Sequence, residues 1–200
     1  MIKIIQLAKK IIINLCKHIT LSYYKYKYGF GCCYSPIKDP ITINGAANIF
    51  INRNCNIKAL ARLEAIQNYK GHPYSGKLII NEGVDIGQGC HIIACDKLVI
   101  EKDVTISSYV FISDCHHKYE DIETNIMKQP LDVRPVQIGE GCLIGRGVAI
   151  LAGASVGKHS VIGANSVVTS TIPDYSVAVG IPAKVIKKYN FETKKWEIIK

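Results

Sequence analysis

Residues 138–173 read IGEGCLIGRGVAILAGASVGKHSVIGANSVVTSTIP, and an aliphatic side chain returns at every sixth position. The same step runs through two earlier stretches, 80–97 and 100–117. The twelve positions that this step marks, called stations below, are all isoleucine or valine: Ile80, Ile86, Ile92, Ile100, Ile106, Ile112, Ile138, Ile144, Ile150, Val156, Ile162 and Val168. A period of six fits neither an α-helix nor a hairpin meander. It predicts a chain that runs a short strand, turns and repeats, with one large side chain pointing inward on each side.

Three such sides close a triangular coil, and stacked coils form parallel strands about 4.8 Å apart. Four stretches hold three hexads each: 80–97, 100–117, 138–155 and 156–173. A weaker coil begins at Ile43 and Ile49 and reaches Cys55. The residue after a station is glycine at 87, 139, 145, 157 and 163, where a tight corner favours a residue without Cβ.

Two stretches interrupt the repeat and are predicted to leave the coil at its corners. They are residues 61–79 and residues 118–137, and the second is polar and contains two prolines. A polar loop held on a rigid solenoid is a common place for binding and catalytic residues. The second insertion is therefore where we expect the functional site.

The composition is that of one globular domain, because 48% of the 200 residues are hydrophobic and 20% are charged. The net charge of +9 favours anionic ligands, and nucleic acid, acidic lipid and phosphorylated small molecules all fit it. Eight cysteines lack any C-x-x-C spacing, so we interpret them as small buried side chains in a reducing compartment. No segment is long enough to cross a membrane.

The N-terminal segment is predicted to form an amphipathic helix, because its apolar residues follow helical spacing: Ile4, Ile5, Ala8, Ile11, Ile12, Leu15 and Ile19. The predicted organisation is therefore a helix and linker at 1–39, a β-helix domain at 40–188 and a C-terminal tail at 189–200. An interfacial helix of this kind suits either an anionic membrane surface or a neighbouring subunit.

Three motifs add a family resemblance to this pattern. FISDCHHKYED at 111–121, IGANSVVTSTIP at 162–173 and GIPAKVIKK at 180–188, together with the hexads, resemble the hexapeptide-repeat acyltransferases. Within them the chain is most similar to sugar O-acetyltransferases of capsule, lipopolysaccharide and exopolysaccharide biosynthesis, and it also resembles galactoside and maltose acetyltransferases. The resemblance covers roughly residues 40–188. It implies an all-β fold, a left-handed parallel β-helix, which departs from the usual right-handed crossover. It also implies a homotrimer that binds acetyl-coenzyme A (acetyl-CoA) in clefts between subunits.

Acetyl transfer to a hydroxyl needs a base that takes the proton as the oxygen attacks, and histidine suits that role. Of six histidines, only His116 and His117 stand at the mouth of the large insertion. The resemblance places the catalytic base at the last position before the loop, which is His117, with His116 as the weaker candidate. Asp114 matches an acidic position of the family and would orient a ring or hold the acceptor. Cys115 replaces a histidine that relatives often carry.

Two further acids of the insertion, Glu120 and Asp121, are candidates to fix the tautomer of the imidazole; the alternative is that they and Asp114 are solvated loop acids. For acetyl-CoA the resemblance implies six binding residues: Arg146, Ala164, Thr169, Ser170, Lys184 and Lys187. Small Ala164 would admit the pantetheine arm, and the two lysines would meet phosphate groups. No metal is expected.

The function that these features predict is acetyl-CoA-dependent acetylation of a hydroxyl on a sugar or glycan precursor, in the cytoplasm or at the inner face of the membrane. N-acetylation of an amino sugar is the first alternative. A γ-carbonic-anhydrase-like metalloenzyme would need histidines five residues apart plus a third, which the adjacent pair does not supply. A non-enzymatic nucleic-acid or membrane protein would use the run YYKYKY at 23–28.

Overall fold

The computed structural model describes residues 32–33, 37 and 41–199. The predicted N-terminal helix and the YYKYKY run lie outside the described residues. Three parallel sheets, called here the first, second and third faces, each take one strand from every coil. The predicted left-handed parallel β-helix of hexapeptide repeats is confirmed at the level of this architecture.

The strands of each face are given in their order across the sheet. The first face contains Cys32–Cys33, Ile49–Ile51, Lys77–Ile80, Lys97–Ile100, Gln137–Ile138 and Ser155–Val156. The second face contains Asn56–Ile57, Asp85–Ile86, Thr105–Ile106, Leu143–Ile144, Val161–Ile162, Ser176–Val179, Lys184–Asn190 and Lys195–Ile198. The third face contains Thr42–Asn44, Arg62–Ala65, His91–Ala94, Phe111–Ser113, Ala149–Ile150 and Val167–Val168.

The core is a set of aliphatic columns that run through the stacked coils. All twelve predicted stations are buried. On the second face, for example, Ile86, Ile106 and Ile144 are register partners on successive strands. Each buried isoleucine stabilises the fold by roughly 1.5–3 kcal/mol relative to an exposed one. The period of six therefore stabilises the coil because it brings one such side chain to the axis from every strand.

Close approach between coils explains the glycines that follow the stations. A Cβ atom on Gly145 would lie 2.6 Å from the backbone nitrogen of Ala164 on the next coil. The left-handed backbone comes two residues later, at Gly147 with φ +69° and at Asn165 with φ 58°. The glycine directly after a station is thus required because a Cβ atom there would clash with the next coil. The residue two places later must instead tolerate a positive φ, which glycine and asparagine do.

Neither excursion from the coil has the range predicted from the sequence: the first is shorter than 61–79, and the second begins before residue 118. Arg62–Ala65 and Lys77–Ile80 are strands of the third and first faces, so the first excursion covers only 66–76. It holds a small hairpin, Asn68–Tyr69 against His72–Pro73. The second excursion begins and ends as a hairpin, Cys115–His117 against Leu131–Val133, with a 3₁₀ turn at Ile126–Lys128.

The C-terminal residues also differ from a simple tail. Lys184–Asn190 and Lys195–Ile198 are antiparallel strands that extend the second face beyond its last parallel strand. Another 3₁₀ turn, Ala46–Asn48, joins the third and first faces at the other end of the stack. No helix in the described part of the chain is long and apolar enough to cross a membrane.

Candidate active site

A cavity of about 710 Å³ lies on the outer surface of the third face. Along each strand of that face, every second side chain points outward because strand side chains alternate. These outward side chains form its floor, and the two excursions form its walls. The floor and walls include Asn44, Arg62, Glu64, Tyr69, His91, Phe111, Ser113, Cys115, His116, His117, Leu131 and Thr169.

Hydrogen bonds between the excursions hold the walls of the cavity together. The backbone N–H of Leu131 donates to the hydroxyl of Tyr74 at 2.7 Å. The hydroxyl of Tyr69 donates to the backbone carbonyl of Met127 at 3.0 Å. Residues more than fifty positions apart are thus joined across the mouth, which gives the loop that follows His117 a defined position.

His117 lies in the wall of the cavity, at the end of the short strand that leaves the coil. Its backbone pairs with Leu131, and its ring packs at 5.3 Å, centroid to centroid, from the ring of Tyr69. Its Nδ1 atom is buried and has no hydrogen-bond partner among the described residues. Since Nδ1 is closed off from solvent, a ligand in the cavity can exchange a proton with this ring only through Nε2.

His116 also lines the cavity but has different partners. Its Nε2 atom is 3.4 Å from Oδ2 of Asp132, which is opposite it in the hairpin. The same carboxylate accepts a hydrogen bond from Nε of Arg134 at 2.9 Å. The His116 side chain is 40% exposed, so this pair belongs to the charged rim of the cavity.

Asp114 is fully buried and does not line the cavity. Its two carboxylate oxygens accept hydrogen bonds from the backbone N–H groups of Cys95 at 2.7 Å and Asp96 at 2.9 Å. Burial acts to raise its pKa, while these two hydrogen bonds act to lower it, and the net direction is upward. The expectation that Asp114 orients a ring or holds the acceptor therefore finds no support in its contacts, which join two neighbouring coils.

The candidate tautomer-fixing acids are engaged elsewhere. Glu120 accepts from the backbone N–H of Tyr119, and Asp121 accepts from those of Glu123 and Thr124. Both side chains are exposed, and neither lines the cavity. Their role is to shape the turn of the loop.

A polar cluster that sequence reasoning missed lies in the floor: Glu64, Arg62, His91 and Asn44. Oε1 of Glu64 is 2.6 Å from Nε of Arg62 and 2.7 Å from Nε2 of His91. Oε2 of Glu64 accepts a longer hydrogen bond, 3.4 Å, from the side-chain amide of Asn44. Burial acts to raise the pKa of Glu64, but hydrogen bonds from His91, Arg62 and Asn44 outweigh it and hold the pKa below its usual value. Glu64 is thus an ionised carboxylate in a nearly closed site.

The available sequence signal for this cluster was weak. Arg62 and Glu64 fall within 61–79, the first predicted insertion, and His91 comes one residue before the station Ile92. Alternation around Ile92 indicates that His91 points outward, but it does not indicate what lies beside it. The register pairs His91 with Arg62, and this pairing brings the cluster together.

The six candidate residues for acetyl-CoA lie in three places. Thr169 lines the same cavity as His117, and Ser170 follows it at an exposed corner. Arg146 and Ala164 are exposed at stacked corners, where the N–H of Asn165 donates to the carbonyl of Arg146 at 2.8 Å. Lys184 and Lys187 lie on the antiparallel extension of the second face.

These residues suit a long anionic ligand. Arg146, Lys184 and Lys187 form no ion pair within the described part of the chain, so their charges are available to phosphates. The guanidinium of Arg146 is 5.2 Å from the centre of the Tyr109 ring. Small corner residues and cations without an ion pair are features that a long anionic cofactor uses, and of the six only Thr169 lines the cavity itself.

Comparisons with known proteins agree with this geometry. The family described as bacterial transferase hexapeptide (six repeats) matches residues 135–170. The putative lipopolysaccharide biosynthesis O-acetyl transferase WbbJ of Escherichia coli (strain K12) is 34% identical over 168 residues, covering 80% of this chain and 82% of that protein. A maltose O-acetyltransferase from Clostridium difficile is 28% identical, with a TM-score of 0.50 over 80% of this chain and 70% of that one.

The architecture also matches AntD, an N-acyltransferase from Bacillus cereus solved with dTDP and 3-hydroxybutyryl-CoA. The TM-score is 0.72 at 18% identity, over 86% of this chain and 90% of that one, a level of identity that supports the fold alone. The WbbJ match covers most of both proteins and extends beyond the repeat. The chain therefore belongs to the hexapeptide-repeat acyltransferase family, and the expectation of an acetyl-CoA-dependent acetyltransferase is confirmed at that level.

Proposed function

We propose that the protein transfers an acetyl group from acetyl-CoA to a hydroxyl of a sugar or glycan precursor, with His117 as the general base. The observation that carries this proposal is the position of His117 in the wall of the 710 Å³ cavity, with Nδ1 closed off and Nε2 left to exchange a proton. The similarity to WbbJ, named as a lipopolysaccharide O-acetyl transferase, supports a glycan as acceptor.

The order of strands across the third face supports binding of the two substrates at opposite ends of the cavity. Glu64 and His91 lie on the second and third strands, whereas Thr169 follows the sixth. Four strand spacings of about 4.8 Å put these ends roughly 20 Å apart. His117 continues the fourth strand, Phe111–Ser113, and therefore lies between them. We assign the body of the acceptor to the Glu64 end and the pantetheine arm of acetyl-CoA to the Thr169 end, so that the acceptor hydroxyl and the thioester meet between them, at His117.

The acceptor end has the side chains that sugar binding uses. Glu64 supplies a carboxylate, Asn44 an amide and His91 a ring nitrogen, all of which can bond hydroxyl groups. Phe111 and Tyr69 add aromatic surface, on which the apolar side of a sugar ring can lie. Polar groups at fixed positions beside apolar walls are typical of small-molecule sites.

His117 would act by taking the proton of the acceptor hydroxyl as its oxygen attacks the acetyl carbonyl. Acetyl-CoA supplies the acetyl group as an activated thioester. Because a hydroxyl is a weak nucleophile, a positioned base contributes about 10²–10⁴-fold to such a reaction. Tyr69 restricts the orientation of the His117 ring, and the clamped loop keeps bulk water from the side that holds Nδ1.

The assembly that we propose is a homotrimer with active sites between subunits. The cavity runs along an outer face of the coil, and a neighbouring subunit would close its open side around a long ligand. The N-terminal segment is proposed to contact the inner face of the membrane, where a lipid-linked acceptor would be found.

N-acetylation of an amino sugar is the second candidate. The observation that favours it is the ionised, nearly buried Glu64, because a carboxylate in such a site also binds an ammonium group. The two candidates use the same cavity and the same base but yield chemically different products.

One experiment tests the proposal and separates the candidates. The full chain is incubated with acetyl-CoA and a panel of nucleotide-linked and lipid-linked sugars, and products are identified by mass spectrometry before and after mild alkali. An O-acetyl ester is cleaved by alkali, whereas an N-acetyl amide is retained. We expect an alkali-labile product that the His117→Ala variant forms far more slowly. Acetyl transfer that is equally fast in this variant would reject the proposed mechanism.

A further inference from the structure

Cys95 and Cys115 form a close thiol pair in the floor of the cavity. Their Sγ atoms are 2.7 Å apart, closer than any ordinary contact between sulfur atoms. The two cysteines follow third-face strands that run in parallel register, with Ile92 beside Ile112 and Ile93 beside Ser113. Adjacent parallel strands lie about 4.8 Å apart, within the 4.4–6.8 Å that a disulfide requires between Cα atoms.

The two thiols differ in exposure and in protonation. Cys95 is buried, whereas Cys115 is only partly buried, and both line the cavity. The hydrogen bond from the Cys95 thiol holds the pKa of Cys115 below its usual value, although burial opposes it. The same hydrogen bond, together with burial, raises the pKa of Cys95. Cys115 is thus the accessible sulfur with more thiolate character, and Cys95 is the protonated sulfur behind it.

We propose that Cys95 and Cys115 form a redox-active pair that a hydroperoxide converts reversibly into a disulfide. The Cys115 thiolate attacks one oxygen of hydrogen peroxide, giving a sulfenic acid and releasing hydroxide. The Cys95 sulfur then attacks the Cys115 sulfur, the S–O bond breaks, and its hydroxyl leaves with the Cys95 proton as water. Two thiols and one peroxide thus give one disulfide and two waters, and two equivalents of a thiol reductant restore the pair.

A metal ion fits this cluster less well, although Asp114 is also nearby. Both carboxylate oxygens of Asp114 already accept backbone hydrogen bonds from Cys95 and Asp96. Two thiolates on a tetrahedral zinc ion lie about 3.8 Å apart, given Zn–S bonds of about 2.3 Å. The observed sulfur separation is instead about 0.7 Å longer than a disulfide bond.

The bond would join the third face to the hairpin that carries His117. Because the sulfurs need to move so little, the hairpin keeps its place when the bond forms. The disulfide closes a loop of about 20 residues, which lowers the entropy of the unfolded chain and raises the unfolding temperature by roughly 7–13 °C.

The test is disulfide mapping of the full chain. Reduced protein is treated with hydrogen peroxide, alkylated in denaturant, digested and analysed by mass spectrometry, with and without a later dithiothreitol step. We expect peptides linked through Cys95 and Cys115 that dithiothreitol separates. Cys90 and Cys142 are the matched controls: both are buried, their thiols donate to backbone carbonyls, and burial raises both pKa values, that of Cys142 to about 11. Both should still be alkylated.

Two variants complete the test. In Cys95→Ser, the sulfenic acid on Cys115 should persist and be trapped by dimedone, because the second sulfur is missing. In Cys115→Ser, the peroxide-dependent rise in unfolding temperature should disappear. The proposal is overturned if Cys115 in the parent reacts no faster than Cys90, or if it is oxidised without ever linking to Cys95. Stoichiometric zinc binding that both variants abolish would instead identify a metal site.

Discussion

His117→Ala is the substitution that tests the site most directly, and its effect on stability can be worked out from contacts. The variant loses the ring contact with Tyr69, which is worth about 0.5–1.5 kcal/mol. It also removes a buried nitrogen without a partner, whose burial costs about 1–3 kcal/mol. Because these two effects oppose each other, the free energy of unfolding should change by an amount between a loss of about 0.5 and a gain of about 2.5 kcal/mol.

The effect on turnover should be much larger. Loss of a positioned base slows the reaction by about 10²–10⁴-fold, which corresponds to about 2.7–5.4 kcal/mol of activation free energy. The dissociation constant for CoA, measured by calorimetry, should stay within about twofold because the base does not carry the phosphate contacts.

His116→Ala is the matched control, since it removes a neighbouring imidazole from the same hairpin. The His116 side chain is 40% exposed and its partner, Asp132, is only partly buried, so removal of this imidazole should lower turnover by only a few-fold. Initial rates are measured by following thiol release with a disulfide dye, with the unfolding temperature recorded for each variant. Reversed effects of the two substitutions would mean that the base is His116. A loss of only a few-fold in both would rule out a histidine base at this hairpin.

Four other predictions test separate parts of the proposal. Replacing Lys184 and Lys187 together by alanine should raise the apparent KM for acetyl-CoA about tenfold, ~0.7 kcal/mol for each lysine, and flatten its salt dependence. The control K97A/K102A, on a first-face strand and in the turn after it, should do neither. Glu64→Gln should remove a pH-dependent part of the free energy of unfolding. Because the folded pKa of Glu64 is lowered, the contribution of its carboxylate is fully present above the unfolded carboxyl pKa of about 4.3 and is lost as the pH falls through the folded pKa. Equal profiles of stability against pH for parent and variant would contradict this prediction. Light scattering should give three copies of the chain, and an active monomer at micromolar concentration would reject the shared site. Anionic vesicles should sediment the full chain better than a form lacking residues 1–28, and equal sedimentation would reject the membrane contact.

The sequence alone was sufficient for the architecture, because the signal is local and repeated. A station every six residues reports the inward side of each strand, and all twelve stations are buried. The sequence also showed that the chain leaves the coil twice, since a break in the period needs no knowledge of contacts. His117 was predicted from the resemblance of the motif at 111–121 to the family and not from the period alone.

The boundaries of the excursions required the tertiary structure. Leu78 is an inward residue of its strand, but the six-residue step through Ile80 does not reach it. Leu63 does follow Ile51 and Ile57 at steps of six, but the weaker coil of Ile43, Ile49 and Cys55 was placed in a different register. Strand pairing assigns Arg62–Ala65 and Lys77–Ile80 to the coil, because backbone hydrogen bonds to the neighbouring strands are unaffected by the break in period. Pairing likewise makes residues 195–198 a strand where their sequence had no repeat.

Which outward side chains meet was decided only by the stacking of coils. Ile57 pairs with Ile86, Ile86 with Ile106 and Ile106 with Ile144, so the offset between neighbouring strands changes with every insertion. A local period carries no information on these offsets. The offsets place Glu64 beside His91 and Cys95 beside Cys115, and they leave the carboxylate of Asp114 beneath the cavity floor. Inward residues follow from the sequence because each strand repeats the same contact with the axis, whereas the site depends on contacts between strands that only the folded stack brings together.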